Sequence, residues 1–546
     1  MFARIKKSGR YQYLQIVENR REGAKIIQRV IATIGRMDKL RAKDRIETLI
    51  NSLSRYSENV MLILSGKADV TSYSKKIGPS LIFERLWQEM GIEKTIKGIL
   101  NGRKFEFDVE RAIFLTVLHR LFASGSDRAC EKWRRDYEIE GVDDLSLHHL
   151  YRAMAFLGEE VEDQKDATPF SPRCNKDIIE EEMFFSHRDL FTGLSLVFFD
   201  TTSIYFEGEG GETIGERGHS RDNRPDLRQM VVGAVIDESG HPICCEMWPG
   251  STADVKTLIP VIDRIRKRFR IGRFCIVADR GMIRAETLRE LERPERGISY
   301  ILGARMRKVN EIKRDVLSRK GRYKEVYPEG QSSKAPAPLK VKEVWVSESR
   351  YIVCLNTKQA RKDASDRAAI VESLRDQIRK DPKQLIGNKG YRRYLKFNRE
   401  TVRIDQNKIE AASRFDGKWV LKTNTDLSAE QVALKYKELW QVEQVFRDLK
   451  SILETRPIYH QRDETIRGHV FCSFLALVLR KGLNSRLEEA GFSFEWADIK
   501  QDLKALQETV IEENSKRLAV RSQCLRTCGK VFQAVGVALP PTIQEL

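Results

Sequence analysis

Apolar positions along this chain change their period several times, and each change marks a new kind of element. Between residues 1 and 40 they alternate with polar ones around Tyr11, Tyr13, Leu14 and Ile16, then again near Ile26, Ile27, Val30 and Ile31, with a glycine-containing break between the runs. That alternation predicts a small β-containing module. From about residue 80 to 160 the spacing turns helical, as in Ala112, Ile113, Leu115, Val117, Leu118 and Leu121, and predicts a compact helical bundle. Residues 159–177 are charged, broken by prolines and aperiodic, as a linker would be.

Short apolar runs follow at 194–199, 231–236 and 243–247, the last two joined by a DESGHP turn, and read as three successive strands. Leu258, Val261, Ile262 and Ile265 recur at helical spacing in a basic helix, and 274–278 is a further buried strand. A helix near 285–292 and a strand at 299–302 complete a mixed α/β domain whose sheet is partly parallel. Asp200 and Asp279 each sit at the end of one of these strands. From 306 to about 425 a basic stretch, a Pro-Ala-Pro segment, strands near 341–346 and 351–355 and a charged helix near 357–380 read as an inserted subdomain, after which Ser428 opens a new helix. The expected division is a small β-containing module (1–75), a helical module (76–160), a linker (161–190), the first part of an α/β core (191–305), an inserted β-rich subdomain (306–425) and a helical C-terminal region (426–546).

The helix expected around 436–450 places Tyr436, Trp440, Glu443, Arg447 and Lys450 on one face, while Leu439, Val442, Phe446 and Leu449 repeat on an adjacent face that buries. Cleavage of a phosphodiester by two metal ions needs hard oxygen ligands converging from different elements. Asp200 and Asp279 from strands, with Glu443 from a facing helix, would supply them. Taken singly, each acid is better explained as a cap, a turn residue or a solvated surface group. Arg221, Arg224 and Arg228 in the loop 215–229 are phosphate candidates, weighed equally against a solvated connection between strands. In that loop His219 reads as a hydrogen-bonding residue, and Asp254, just before a helix, reads as a cap. Residues 388–397 interleave aromatic and basic side chains, a pattern better explained by a half-buried amphipathic element than by a nucleic-acid surface.

Charge adds a partner class. A net +18 and a pI near 9.4 favour a polyanion, with nucleic acid the leading candidate. The longest apolar run, 470–479, is far too short to span a bilayer and reads as a buried helix, so no membrane partner is expected. The N-terminal residues carry charges where a signal peptide needs an apolar stretch, which predicts a cytoplasmic protein. Nine scattered cysteines argue against a disulfide framework, and the lone Cys524/Cys528 pair lacks the companions a zinc site needs.

Several segments together resemble one family. They are FFDTTSIYFEG (198–208), GHSRDNRPDLRQMVVG (218–233), IVADRGMI (276–283), YKELWQVEQVFRDLKSILETRPIYH (436–460) and IRGHVFCSFLAL (466–477). They are similar to the DDE transposases of bacterial insertion sequences, the subgroup marked by a Tyr–Arg–Glu–Lys signature in the last catalytic helix, and the likeness covers most of the chain. The resemblance implies a ribonuclease H-like catalytic core, interrupted before the glutamate helix by a largely β insertion. It implies that Asp200, Asp279 and Glu443 hold two divalent ions, Mg2+ with Mn2+ as a substitute, and that Tyr436 and Lys450 lie near the phosphate backbone. Leu439 stands where the signature carries arginine, so the contact expected there is missing or comes from Lys437 or Arg447. The implied activity is hydrolysis at the element's ends followed by attack of the freed 3′-hydroxyl on double-stranded target DNA. A homodimer on DNA, with residues 76–160 and the basic N-terminus recognising the ends, is part of that expectation. A structure-specific nuclease with the same triad and a domesticated, non-catalytic DNA-binding protein are the alternatives.

Overall fold

The computed structural model describes residues 2–22, 25–41, 71–168, 171–186, 195–327, 339–380, 392–397, 402–513 and 516–546. These form two compact units, Met1–Lys75 with Gln507–Gln523 and Pro540–Leu546, and Lys76–Leu506 with Cys524–Leu539. In the smaller unit, β1 (Phe2–Ser8), β2 (Tyr11–Glu22) and β3 (Lys25–Arg36) make an antiparallel meander, as the alternation predicts. β4 (Thr71–Lys76) belongs to a second sheet in that unit.

The larger unit begins with helices. In α1 (Val109–Phe122) the Asp108 carboxylate accepts from the Arg111 backbone N–H and caps the helix, and nearly every residue that follows is buried. Ser126 caps α2 (Asp127–Trp133) in the same way, and α3 (Leu147–Gly158) follows. The stretch expected as a linker carries a further helix, α4 (Asn175–Ser186). Its inward face is ionic, and that explains why no apolar periodicity announces it.

The central sheet has nine strands in the order β10-β11-β12-β15-β9-β8-β5-β6-β7. These are β5 (Leu196–Tyr205), β6 (Gln229–Asp237), β7 (Pro242–Pro249), β8 (Cys275–Ala278), β9 (Ser299–Gly303), β10 (Lys324–Val326), β11 (Leu339–Val346), β12 (Ser349–Asn356) and β15 (Lys418–Thr423). β8 pairs in parallel with both β5 and β9, and the remaining neighbours are antiparallel. The expected insertion is thus partly continuous with the core, because β15 pairs with β9 and carries β12, β11 and β10 outward. Within the same stretch β13 (Leu395–Phe397) and β14 (Val402–Ile404) form a separate hairpin. There Tyr394 and Leu395 are buried against Leu374, as a half-buried element requires, whereas Tyr391 lies outside the described residues.

Both faces of the sheet are covered. Val197, Phe199 and Ile276 pack under α5 (Leu258–Phe269) through Val261, Ile262 and Ile265. Leu196, Phe198 and Val277 pack on the other face with Val432, Leu439, Val442 and Phe446. Those residues belong to one helical region that is interrupted rather than continuous: α6 (Ala429–Lys437), with a Ser428/Gln431 capping box, then α7 (Trp440–Arg447), then a π-helical turn over Asp448–Ile452.

Beneath α4 lies a buried ion network. Arg268 of α5 meets Glu180 at 2.6 Å and Asp177 at 3.0 Å, Arg264 meets Asp177 and Glu246 at 3.0 Å, and Lys176 meets Asp177 at 2.8 Å. Charges this buried persist only when paired, and here α4, α5 and β7 supply both signs.

α8 (Asp463–Glu489) contains the apolar run 470–479 and packs back on α1 and α3. A Cβ at Gly158 would lie 2.0 Å from the Glu464 carbonyl oxygen, and one at Gly468 would lie 1.8 Å from that of Met154, so two glycines let α3 and α8 touch through their backbones. Around this junction Arg120 donates to Nδ1 of His469 at 2.9 Å, the His469 Nε2 bonds the Thr455 carbonyl at 3.1 Å, and His460 lies 3.5 Å from Asp127. Among the described residues no helix is long and apolar enough to cross a membrane. The chain closes with β16 (Gln507–Glu513), β17 (Lys516–Arg521) and β18 (Ile543–Glu545), which join β4 in the smaller unit in the order β18-β17-β16-β4.

Candidate active site

Asp200 and Asp279 are brought together by strand register. β5 and β8 run parallel with Phe199 opposite Ala278, so the next residue on each strand is one of the two aspartates. Side chains alternate along a strand, and Phe198 and Val277 face α6 and α7; Asp200 and Asp279, two residues further on, leave by the same face.

The surroundings of the two acids differ. The Tyr436 hydroxyl, reaching down from α6, donates to Oδ1 of Asp279 at 2.9 Å. Burial, reinforced by the Asp279 charge, raises the Tyr436 phenol far above its ordinary range, so it remains a donor. Asp200 accepts from the Thr201 backbone N–H at 2.7 Å and lies 3.9 Å from Arg221. Burial pushes its carboxyl up, Arg221 and the Thr201 N–H pull it down, Asp279 and Asp254 push it up again, and the net result is about 6. A carboxylate that is desolvated, flanked by other carboxylates and only partly compensated is an environment suited to a divalent cation, and its donors are the hard oxygens such ions take.

Glu443 lies on α7, which packs against β5 and β6 through Val442 and Phe446. Its own side chain is exposed, as are Trp440 and Arg447 on the same face. The structure therefore pairs the two aspartates and sets Glu443 on the helix covering their face of the sheet.

The cations expected to grip phosphate are mostly engaged within the protein. Lys450 donates to Oδ1 of Asp222 at 2.9 Å, and Arg456 pairs with the same oxygen. Arg221 bonds Asp254 at 2.7 Å, Arg224 bonds Asp226 at 2.9 Å, and Arg228 reaches the Gly215 carbonyl at 3.1 Å and pairs with Glu209 at 2.5 Å. Arg447 bonds Gln444 at 3.0 Å and points outward. Leu439, at the position of the signature arginine, is buried under the sheet.

Asp254 is the residue that sequence reasoning assigned wrongly. It caps nothing with its side chain; its carboxylate accepts from Thr201 Oγ1 at 2.9 Å and from Arg221. It shares a cavity of about 220 Å³ with Thr202, Ser203, His219, Arg221 and Arg284. Its position shortly after the end of β7 was the available signal.

Residues 192–479 match the family model for the transposase DDE domain, and residues 3–66 match that for the N-terminal domain of IS1634 family transposases. The chain belongs to the DDE transposases. It is a transposase of the insertion-sequence type, an enzyme that cuts DNA and transfers strands. Among solved structures it is similar to a piggyBac transposase synaptic complex with hairpin DNA, at TM-score 0.36 and 11% identity, over 78% of this chain and 79% of that one. No curated protein sequence matches the chain.

Proposed function

We propose that Asp200, Asp279 and Glu443 form the metal-binding triad of this transposase, in a core of ribonuclease H-like type. The observation that carries the reading is the register of β5 and β8, which sets the two aspartates side by side on the face covered by the helix of Glu443. Two divalent ions held there, Mg2+ or Mn2+, would polarise the scissile phosphate and stabilise both the attacking and the departing oxygen of an in-line displacement.

The remaining parts fall to the chain's own side chains. Tyr436 orients Asp279 by its hydrogen bond to Oδ1. Lys450, Arg447 and the arginines of the 215–229 loop bind the backbone of double-stranded DNA, where each phosphate met releases counterions. Hydrolysis at the element's end frees a 3′-hydroxyl, and the same site then directs that hydroxyl onto target DNA. Two such sites acting on two ends make a homodimer the working assembly, with the helices of residues 76–160 reading the ends. Work on chromosomal DNA places the enzyme at the cytoplasmic nucleoid.

The experiment is substitution of each acid. Asp200→Asn, Asp279→Asn and Glu443→Gln are expected to abolish cleavage of end DNA by the purified protein while leaving end binding largely intact. Full strand cleavage by any one variant would overturn the assignment for that residue.

A further inference from the structure

The loop between β5 and β6 places two adjacent residues of opposite charge against the two halves of the site. Arg221 bonds Asp254 at 2.7 Å and Thr201 Oγ1 at 2.9 Å, and lies 3.9 Å from Asp200, so a protein cation sits among the carboxylates. Asp222 turns the other way. Its Oδ1 takes Lys450 at 2.9 Å and also Arg456, so a protein anion sits between two cations at the end of the glutamate helix. Backbone bonds fix this division: the Arg221 N–H donates to Ser203 Oγ at 2.9 Å and the Asp222 N–H to Ser220 Oγ at 3.3 Å.

We propose that Asp222 is an internal substitute for a DNA phosphate, occupying Lys450 and Arg456 until the substrate backbone displaces it. The proposal rests on the reading that Lys450 meets phosphate. Two features separate a substitute from a permanent strut. One oxygen shared by two cations is the environment of a bound phosphate oxygen. The second oxygen, Asp222 Oδ2, is buried and has no hydrogen-bond partner among the described residues. A strut would be expected to satisfy both oxygens, whereas an unsatisfied one is relieved when the loop moves away. Because Arg221 and Asp222 are neighbours, displacement of the acid by phosphate would also loosen the arginine from Asp200. The carboxylates would then become free as the substrate arrives.

The test is duplex binding by the full chain in EDTA, using a fluorescent random-sequence duplex over a series of KCl concentrations. Asp222→Asn is expected to bind several-fold tighter than the wild type and to steepen the dependence of log K on log salt by about one to two, for the two cations released. Unchanged or weaker binding by a folded Asp222→Asn protein overturns the proposal. If that variant does not fold, Lys450→Gln decides: loss of affinity and a shallower salt slope show that the Asp222–Lys450 pair opens for DNA, and an unchanged affinity shows a strut. A wild type that fails to bind the duplex at all would instead remove the DNA-binding reading on which this one stands.

Discussion

The Tyr436 hydroxyl lies 2.9 Å from Oδ1 of Asp279, joining the first residue of the signature, near the end of α6, to the acid at the end of β8. Phenylalanine at 436 removes this donor and little else. Tyr436→Phe is expected to lower stability by about 1 kcal/mol and to raise the Mn2+ concentration needed for half-maximal cleavage. Titration of cleavage against Mn2+ reads the effect, and an unchanged metal requirement would deny the hydroxyl its orienting role.

The same contact depends on a glycine. A Cβ at Gly303 would lie 2.3 Å from the Tyr436 hydroxyl oxygen and 3.0 Å from the Arg280 backbone nitrogen. Gly303→Ala should therefore push Tyr436 off Asp279, at a cost of about 1–3 kcal/mol, and reduce cleavage at least as far as Tyr436→Phe does. Gly272, whose Cβ would meet nothing within 4 Å, supplies the control. Equal cleavage rates for the two alanine variants would contradict the close approach.

The buried ion network makes a stability prediction. Arg268→Met keeps most of the side-chain length but leaves Asp177, Glu180 and Glu246 short of a cation. Removing one member of a buried pair costs about 3–5 kcal/mol, and urea unfolding should show a loss of that size. A wild-type midpoint would mean that the remaining cations suffice.

Acid sensitivity follows from His119 in α1. Burial lowers its imidazole to about 4, helped by Arg120 and Lys504 and opposed by Asp127. Protonation is thus easier in the unfolded chain, near the ordinary 6.5, than in the folded one. The stability this contributes is complete above pH 6.5 and is lost as the pH falls towards 4, a change on the order of a few kcal/mol. His119→Phe should remove that component from a series of melting curves between these pH values; a variant with the wild-type pH dependence would place the sensitivity elsewhere.

Much of this architecture was legible before the structure. The strands that carry Asp200 and lead into Asp279 announce themselves because they are buried on both faces, leaving short continuous apolar runs, although β5 runs on to Tyr205 and so holds Asp200 at mid-strand rather than at its end. The helix face of Leu439, Val442, Phe446 and Leu449 is buried as its spacing predicts. α4 was invisible for the converse reason: the residues it buries include Lys176, Asp177 and Glu180, so it reads as a solvated linker. The continuity of β15 with β9 is a long-range pairing that local pattern does not encode. Asp254 was misread because its partners, Thr201 and Arg221, are set by the sheet and by a loop far from it in sequence. The pairing of Lys450 with Asp222 was equally hidden; composition identifies a cation but not the acid that holds it.

The central claim is that the divalent ions bind between Asp200 in the middle of β5 and Asp279 at the end of β8, under the signature helix. Anomalous diffraction from crystals of the DNA complex containing Mn2+ locates those ions directly. Peaks liganded by Asp200, Asp279 and Glu443 are the predicted result. Asp127, His460 and His469 bring three ligand atoms within 4.8 Å of one another elsewhere in the fold; Mn2+ bound there, with none at the aspartate pair, would contradict the account.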